Sequence, residues 1–260
     1  MYTAAVLGSD AEAAASRLAD AADGRVGIVR VDAPTADGGR TLARASTEYV
    51  VDGDWYASGN GLSAADAVDR LAPDHDYAFV LGTSDVRFPA ILVGDGDAPS
   101  TLVSAASTAD LDVEATIDAI HDTEPHETLE SLVAAVKRSD AAVYSGAIAT
   151  FTGRVRAKED AEDDRTHYLE FEKYEGVAEE KMATIEAELE GRDGVLDVRL
   201  HHRTGRIPGG EDIVFVVVLA GHREEAFDTV RDGINRLKDE VPLFKKEVTD
   251  TEEFWVHERE

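Results

Sequence analysis

The chain has 260 residues, 43% of them hydrophobic, with 54 acidic side chains against 26 basic ones, a formal net charge of −28 and no cysteine. That length suffices for one large domain or two ordinary ones. The hydrophobic share and regular patterning exclude a disordered acidic chain, and the charge excludes a general affinity for nucleic acid or anionic membrane.

Strand periodicity marks residues 3–7, 25–31, 77–81 and 90–93, and helical spacing marks 11–22, 64–71 and 112–121. This alternation predicts an α/β layered domain over residues 1–122, punctuated by turns such as Gly94-Asp-Gly-Asp-Ala-Pro99. His121-Asp-Thr-Glu-Pro-His126 reads as the hinge into a second domain, residues 123–260. There the pattern predicts helices over 127–137, 177–190 and 224–240, the last stopped by Pro242. Strands are predicted over 141–152, 167–173, 195–205 and 212–220, with a charged, mobile loop at 157–166 and a tight turn at Pro208-Gly-Gly210.

Acid excess with few lysines is the signature of a protein kept soluble at high salt, a halophilic habitat in which carboxylates hold hydration and repulsion is screened. The first residues lack a basic segment followed by a long apolar one, and no run reaches membrane-spanning length, so a soluble cytoplasmic protein is expected. The absent cysteine removes disulfides, thiolate metal sites and a cysteine nucleophile. His201 and His202 are adjacent on a predicted strand and face opposite sides, so no metal site is expected there.

Lysine is scarce: the chain has seven, none before Lys137, and three of them fall at Lys238, Lys245 and Lys246. Ammonium groups are compact donors that can act as acid, base or nucleophile where arginine cannot. Arg154 and Arg156 follow a predicted strand, His222 and Arg223 precede a predicted helix, and Lys238 and Lys245 flank that helix's end. Ligands dock at such element ends in α/β domains, so convergence of these groups would make a pocket for a small anion. The same residues also admit plainer roles: Arg154 and Arg156 as partners of the acidic 159–164 loop, Arg223 as a partner of helix carboxylates, and Lys238 as a solvated residue at a helix C-terminus. The turn Leu7-Gly-Ser-Asp-Ala-Glu-Ala-Ala14 sits where a phosphate-cradling loop would, but it lacks that loop's second glycine and its lysine, and reads as a simple connection.

Several segments of the second half together resemble the large, catalytic subunit of molybdopterin synthase, the MoaE family. They are Gly146-Ala-Ile-Ala-Thr-Phe-Thr-Gly-Arg-Val-Arg156, Leu169-Glu-Phe-Glu-Lys-Tyr174, the run from His202 to Phe215, Ala220-Gly-His-Arg223, the run from Leu237 to Glu247, and Trp255-Val256. They span about residues 125–260. The resemblance implies an α/β hammerhead fold, usually dimeric, and a small β-grasp, ubiquitin-like partner whose Gly-Gly thiocarboxylate supplies sulfur. The implied reaction puts two sulfurs into cyclic pyranopterin monophosphate to form the molybdopterin dithiolene, with no cofactor. By motif, Lys238 and Lys245 would be catalytic, and Arg156, His222 and Arg223 would hold the substrate phosphate. Arg154, Val155, Lys246 and Glu247 would line the site, Phe151 would support it, and Arg259 would reach a neighbouring subunit's pocket. An adaptor that docks a ubiquitin-like tail without catalysis is the alternative.

The first half looks like a degenerate MobB, a nucleotide-binding adaptor of molybdenum cofactor assembly, on the strength of residues 27–33 and Phe79-Val-Leu-Gly82. The phosphate-loop lysine of that family is missing, so a structural or docking domain is expected.

Overall fold

The computed structural model describes residues 1–31, 47–52, 54–59, 61–83, 88–98, 100–158, 160–174 and 176–256. They form two compact units, Met1–Glu127 and Thr128–Glu260. The boundary lies at 127/128 rather than 122/123 because the intervening residues are tied to the first unit. His126 donates its backbone N–H to Met1 O at 2.8 Å and its Nε2 lies 2.7 Å from Asp69 Oδ1, while the Met1 ammonium contacts Glu127 at 3.2 Å.

In the first unit, β1 (Tyr2–Leu7), α1 (Ala11–Ala21), β2 (Val26–Arg30), β3 (Thr47–Asp52), β4 (Asp54–Gly59), α2 (Ala64–Leu71), β5 (Tyr77–Leu81), β6 (Ala90–Val93), β7 (Thr101–Ala105) and α3 (Val113–His121) follow in order. A parallel sheet runs β2-β5-β1-β6-β7, and β3 and β4 pair separately as a hairpin. Alternation sorts the two faces of β1: Ala4 and Val6 pack with α1 and Ile120 of α3, whereas Ala5 packs with Val68 of α2. All five residues of β5 are buried, as expected of a central strand covered on both sides. Ser63 and Asp66 cap the start of α2 reciprocally, so its first orphan amides are satisfied.

The second unit comprises α4 (Leu129–Arg138), β8 (Ala147–Arg154), β9 (Thr166–Lys173), α5 (Val177–Glu190), β10 (Val195–His202), β11 (Gly205–Pro208), β12 (Asp212–Ala220), α6 (Arg223–Glu240), β13 (Leu243–Thr249) and β14 (Glu253–Val256). Two antiparallel sheets result, β10-β12-β8 and β11-β9-β13-β14. β12 is the hub. Its residues 214, 216, 218 and 220 pack against α5 and α6, and residues 215, 217 and 219 pack against α4. Each such buried branched side chain contributes about 1.5–3 kcal/mol.

The strand expected over 141–152 begins later, at Ala147. Residues 140–144 form a 3₁₀ turn because the Ser139 hydroxyl accepts the Ala141 N–H and Ser145 N–H bonds back to Ala142 O. The strand expected over 195–205 divides: β10 stays with β12, while β11 joins β9 in the other sheet. That transfer at residues 203–204 joins the two sheets.

Candidate functional site

Lys238, on the last turn of α6, and Lys245, on β13, open into one groove of about 1520 Å³ that Arg154, Arg156 and Glu247 also line. Pro242 stops α6 and turns the chain into β13, which brings the two lysines to the same groove from different elements. Lys238 is exposed and Lys245 half-buried, and neither ammonium has a hydrogen bond or ion pair among the described residues. Arg154 is held by Asp212 Oδ1 at 2.8 Å and by Gly210 O. Glu247 accepts the Thr166 hydroxyl at 2.5 Å, which orients its carboxylate.

Strand alternation decides the rest of β13. Lys245 and Glu247 face the side of Phe171 and Leu169, both buried, whereas Lys246 opposes Glu170 and Trp255 on the other side. There Lys246 pairs with Glu253, whose carboxylate raises the ammonium's pKa, and lies 5.9 Å from the Trp255 ring. Lys246 is therefore outside the groove. Val155 is buried with Leu169, Phe171 and Ile207, so it supports the floor without reaching solvent. Phe151 packs against the main core under α5 and α6.

His222 and Arg223 stand at the opposite end of α6. His222 is its N-cap and both side chains are exposed. Fifteen residues separate Arg223 from Lys238, about 22 Å at the helical rise. Within one chain these two groups do not share the groove. Arg259 lies outside the described residues.

The groove's lining also contains His202, which sequence reading set aside. It is 5% exposed, meets Phe171 edge-on at 4.7 Å, and its Nδ1 lies 2.8 Å from Arg203 O. A carbonyl oxygen only accepts, so Nδ1 carries the proton. Asp163 and Asp164 reach the groove from the 157–166 loop, which is anchored to the turn between β13 and β14: Thr251 Oγ1 donates to Asp164 at 2.6 Å and Asp250 N–H to Arg165 O at 3.2 Å. In total the lining carries four basic side chains against six carboxylates. A single chain therefore lacks the cation excess expected of an anion clamp.

The turn between β1 and α1 is closed. Ser9 N–H donates to Asp95 O at 2.8 Å and Asp10 N–H to Val93 O at 3.1 Å, so these amides do not face a ligand. Asp10 accepts from the backbone and hydroxyl of Thr108, which lowers its pKa and keeps a negative charge at the start of α1. A Cβ at Gly8, where φ is 101°, would sit 2.2 Å from Val93 O, so glycine here serves close packing. Among the described residues no group of three histidines or carboxylates is placed to hold a metal ion, and no helix is long and apolar enough to cross a membrane.

Comparison with known proteins matches residues 121–240 to the family model described as "MoaE protein". A relative from Haloferax volcanii named "Probable molybdopterin synthase" is 50% identical over 262 residues, covering 100% of both chains. A "Molybdopterin synthase catalytic subunit" from Halalkalibacterium halodurans is 38% identical over 113 residues, 44% of this chain and 71% of the relative. Another from Pyrococcus abyssi is 34% identical over 128 residues, 49% of this chain and 82% of the relative.

Proposed function

Since the chain belongs to the molybdopterin synthase family and carries its MoaE region, we propose that it catalyses dithiolene formation as the synthase's catalytic subunit. Sulfur comes from the C-terminal thiocarboxylate of a small ubiquitin-like carrier and enters cyclic pyranopterin monophosphate. The observation that carries this reading is the convergence of Lys238 and Lys245 with Arg154 and Arg156 in one groove.

The chemistry needs three things from the protein. The phosphate needs cations, which Arg156 supplies with Arg154, the latter steadied by Asp212. The carbon under attack by the thiocarboxylate sulfur loses its oxygen as water, with Lys238 and Lys245 donating protons to it and stabilising the developing negative charge, and a further water then hydrolyses the acyl–sulfur bond, so that the carrier leaves as a carboxylate and the sulfur stays on the pterin. Sulfur must arrive from outside because the chain has no cysteine. A groove of about 1520 Å³ exceeds the usual small-molecule pocket of roughly 300–1,000 Å³, so it has room for a slender Gly-Gly tail beside the pterin.

In this reading the second unit is the hammerhead domain, working as a homodimer that binds two carriers. The first unit is a MobB-like docking domain; the closed β1–α1 turn and its Asp10 charge support a role without nucleotide hydrolysis. The acidic surface suits a high-salt cytoplasm.

The test combines the full chain, a thiocarboxylated carrier and the pterin precursor, and follows dithiolene product. Lys238→Ala should lower turnover at least about 100-fold. Carrier binding without any product from the wild-type chain would instead make the protein an adaptor.

A further inference from the structure

β10 carries a stripe of buried side chains that ends on a titratable one. Val198 and Leu200 belong to the core under α5 and α6, and strand alternation puts His202 on their face, opposite Val214 of the same core. His201 lies on the other side of the sheet, stacked on Phe215. The stripe runs toward the end of α6, where His202 meets the groove together with Leu237, the residue before Lys238. On its other flank the His202 ring lies edge-on to Phe171 at 4.7 Å, and Phe171 stands directly across from Lys245 in the β9–β13 register. Cross-strand neighbours of this kind hold their Cβ atoms about 4.5–5.5 Å apart. One imidazole therefore links the two walls that carry Lys238 and Lys245.

Its orientation is fixed. Nδ1 sits next to the ring's point of attachment and donates to Arg203 O at 2.8 Å, which leaves Nε2, at the far end of the ring, as the nitrogen with the lone pair. The reaction has a step for such a group. Once sulfur has bonded to the pterin, the carrier is still joined through its acyl carbon, and water must attack that carbon. As classes, ammonium and guanidinium groups hold their protons at neutral pH and carboxylates are weak bases there, whereas an imidazole exchanges its proton near neutrality. His202 is the only imidazole among the residues that line the groove.

We infer that His202 is the general base of the hydrolytic half of the reaction. Nε2 takes a proton from water as the water oxygen bonds to the acyl carbon. The carbon–sulfur bond then breaks, its electron pair goes to sulfur, and Nε2 returns the proton there. The carrier leaves as a carboxylic acid that ionises, and the pterin keeps a thiol. The lysines thus serve the loss of oxygen and His202 serves release of the carrier, from neighbouring walls of one groove.

The assignment rests on the sulfur-transfer reading above, and the test separates the two. Excess full chain is mixed with thiocarboxylated carrier and pterin precursor, quenched with acid during a single turnover, and the carrier is weighed by mass spectrometry. His202→Asn places an amide N–H where Nδ1–H stands and has no group to accept a proton. It should accumulate a covalent carrier–pterin adduct and slow product formation about 100-fold. Lys238→Ala should give neither product nor adduct. Cleavage of the adduct at the wild-type rate in His202→Asn overturns the assignment, and so does loss of product without adduct, which would put His202 ahead of sulfur transfer or in folding alone. A second measurement needs no variant: nitrogen-15 spectra of the wild-type chain should show His202 protonated at Nδ1 and not at Nε2, and the opposite tautomer overturns the base. A wild-type chain that yields neither product nor adduct sinks the sulfur-transfer reading, and this assignment with it; a productive wild type beside an adduct-free His202→Asn sinks this assignment alone.

Discussion

Glu186 on α5 accepts the backbone N–H of Leu200 at 2.6 Å, in the position that a neighbouring strand's carbonyl would take. Burial raises the pKa of this carboxyl; the Leu200 hydrogen bond and Arg199 oppose the shift, and Glu190 and Asp197 add to it. A raised folded-state value means the native protein holds the proton more tightly than the unfolded chain. The stabilisation is full below the unfolded value and is lost as pH rises through the raised one. Glu186→Gln keeps an acceptor for Leu200 and removes the charge. Its Tm relative to wild type should therefore rise from acid to neutral pH. A variant less stable than wild type at neutral pH would show that the charge itself holds the edge.

Neighbouring lysines on β13 should behave unlike each other. Lys245→Ala should reduce kcat by about 100-fold or more. Lys246→Ala loses only a surface pair with Glu253 and should leave kcat within about a factor of 3. Equal losses in steady-state assays would contradict the division by strand face.

Gly146 is a packing requirement at the start of β8. A Cβ there would lie 2.4 Å from Gly221 O, a backbone atom that cannot move aside easily. Gly146→Ala should cost about 1–3 kcal/mol, read from urea unfolding. Wild-type stability in the variant would show that the junction yields.

Salt should stabilise the fold. With a formal charge of −28, self-repulsion weakens the compact state until counterions screen it. Thermal unfolding in rising KCl should give a rising Tm; a flat profile would mean that the carboxylates are balanced locally.

The closed turn after β1 predicts that GTP with magnesium gives no saturable binding by calorimetry, since Ser9 and Asp10 amides are already bonded. Tight binding would require that turn to open.

Much of the second unit was legible because its signals are local. Periodicity located α5 and β12, and Pro242 marked the end of α6. Short, polar or exposed strands were harder to see: β11 and β13 take their strand character from β9, distant in sequence, while β7 and β14 are short strands added at sheet edges beside β6 and β13. His202 was weighed only as half of an adjacent pair that cannot share a metal; Phe171 and the Arg203 carbonyl decide its place in the groove.

Composition alone determined the scarcity of lysine, the lack of any internal sulfur nucleophile and the acidic surface, because these need no coordinates. The order of motifs marked which cations to examine. Only the tertiary structure decided which of them meet. Pro242 and the pleat of β13 send Lys238 and Lys245 into one groove and Lys246 away from it, while the length of α6 holds His222 and Arg223 at the far end. Sequence spacing gives the length of that helix, but which groups each of its ends meets is decided only by packing.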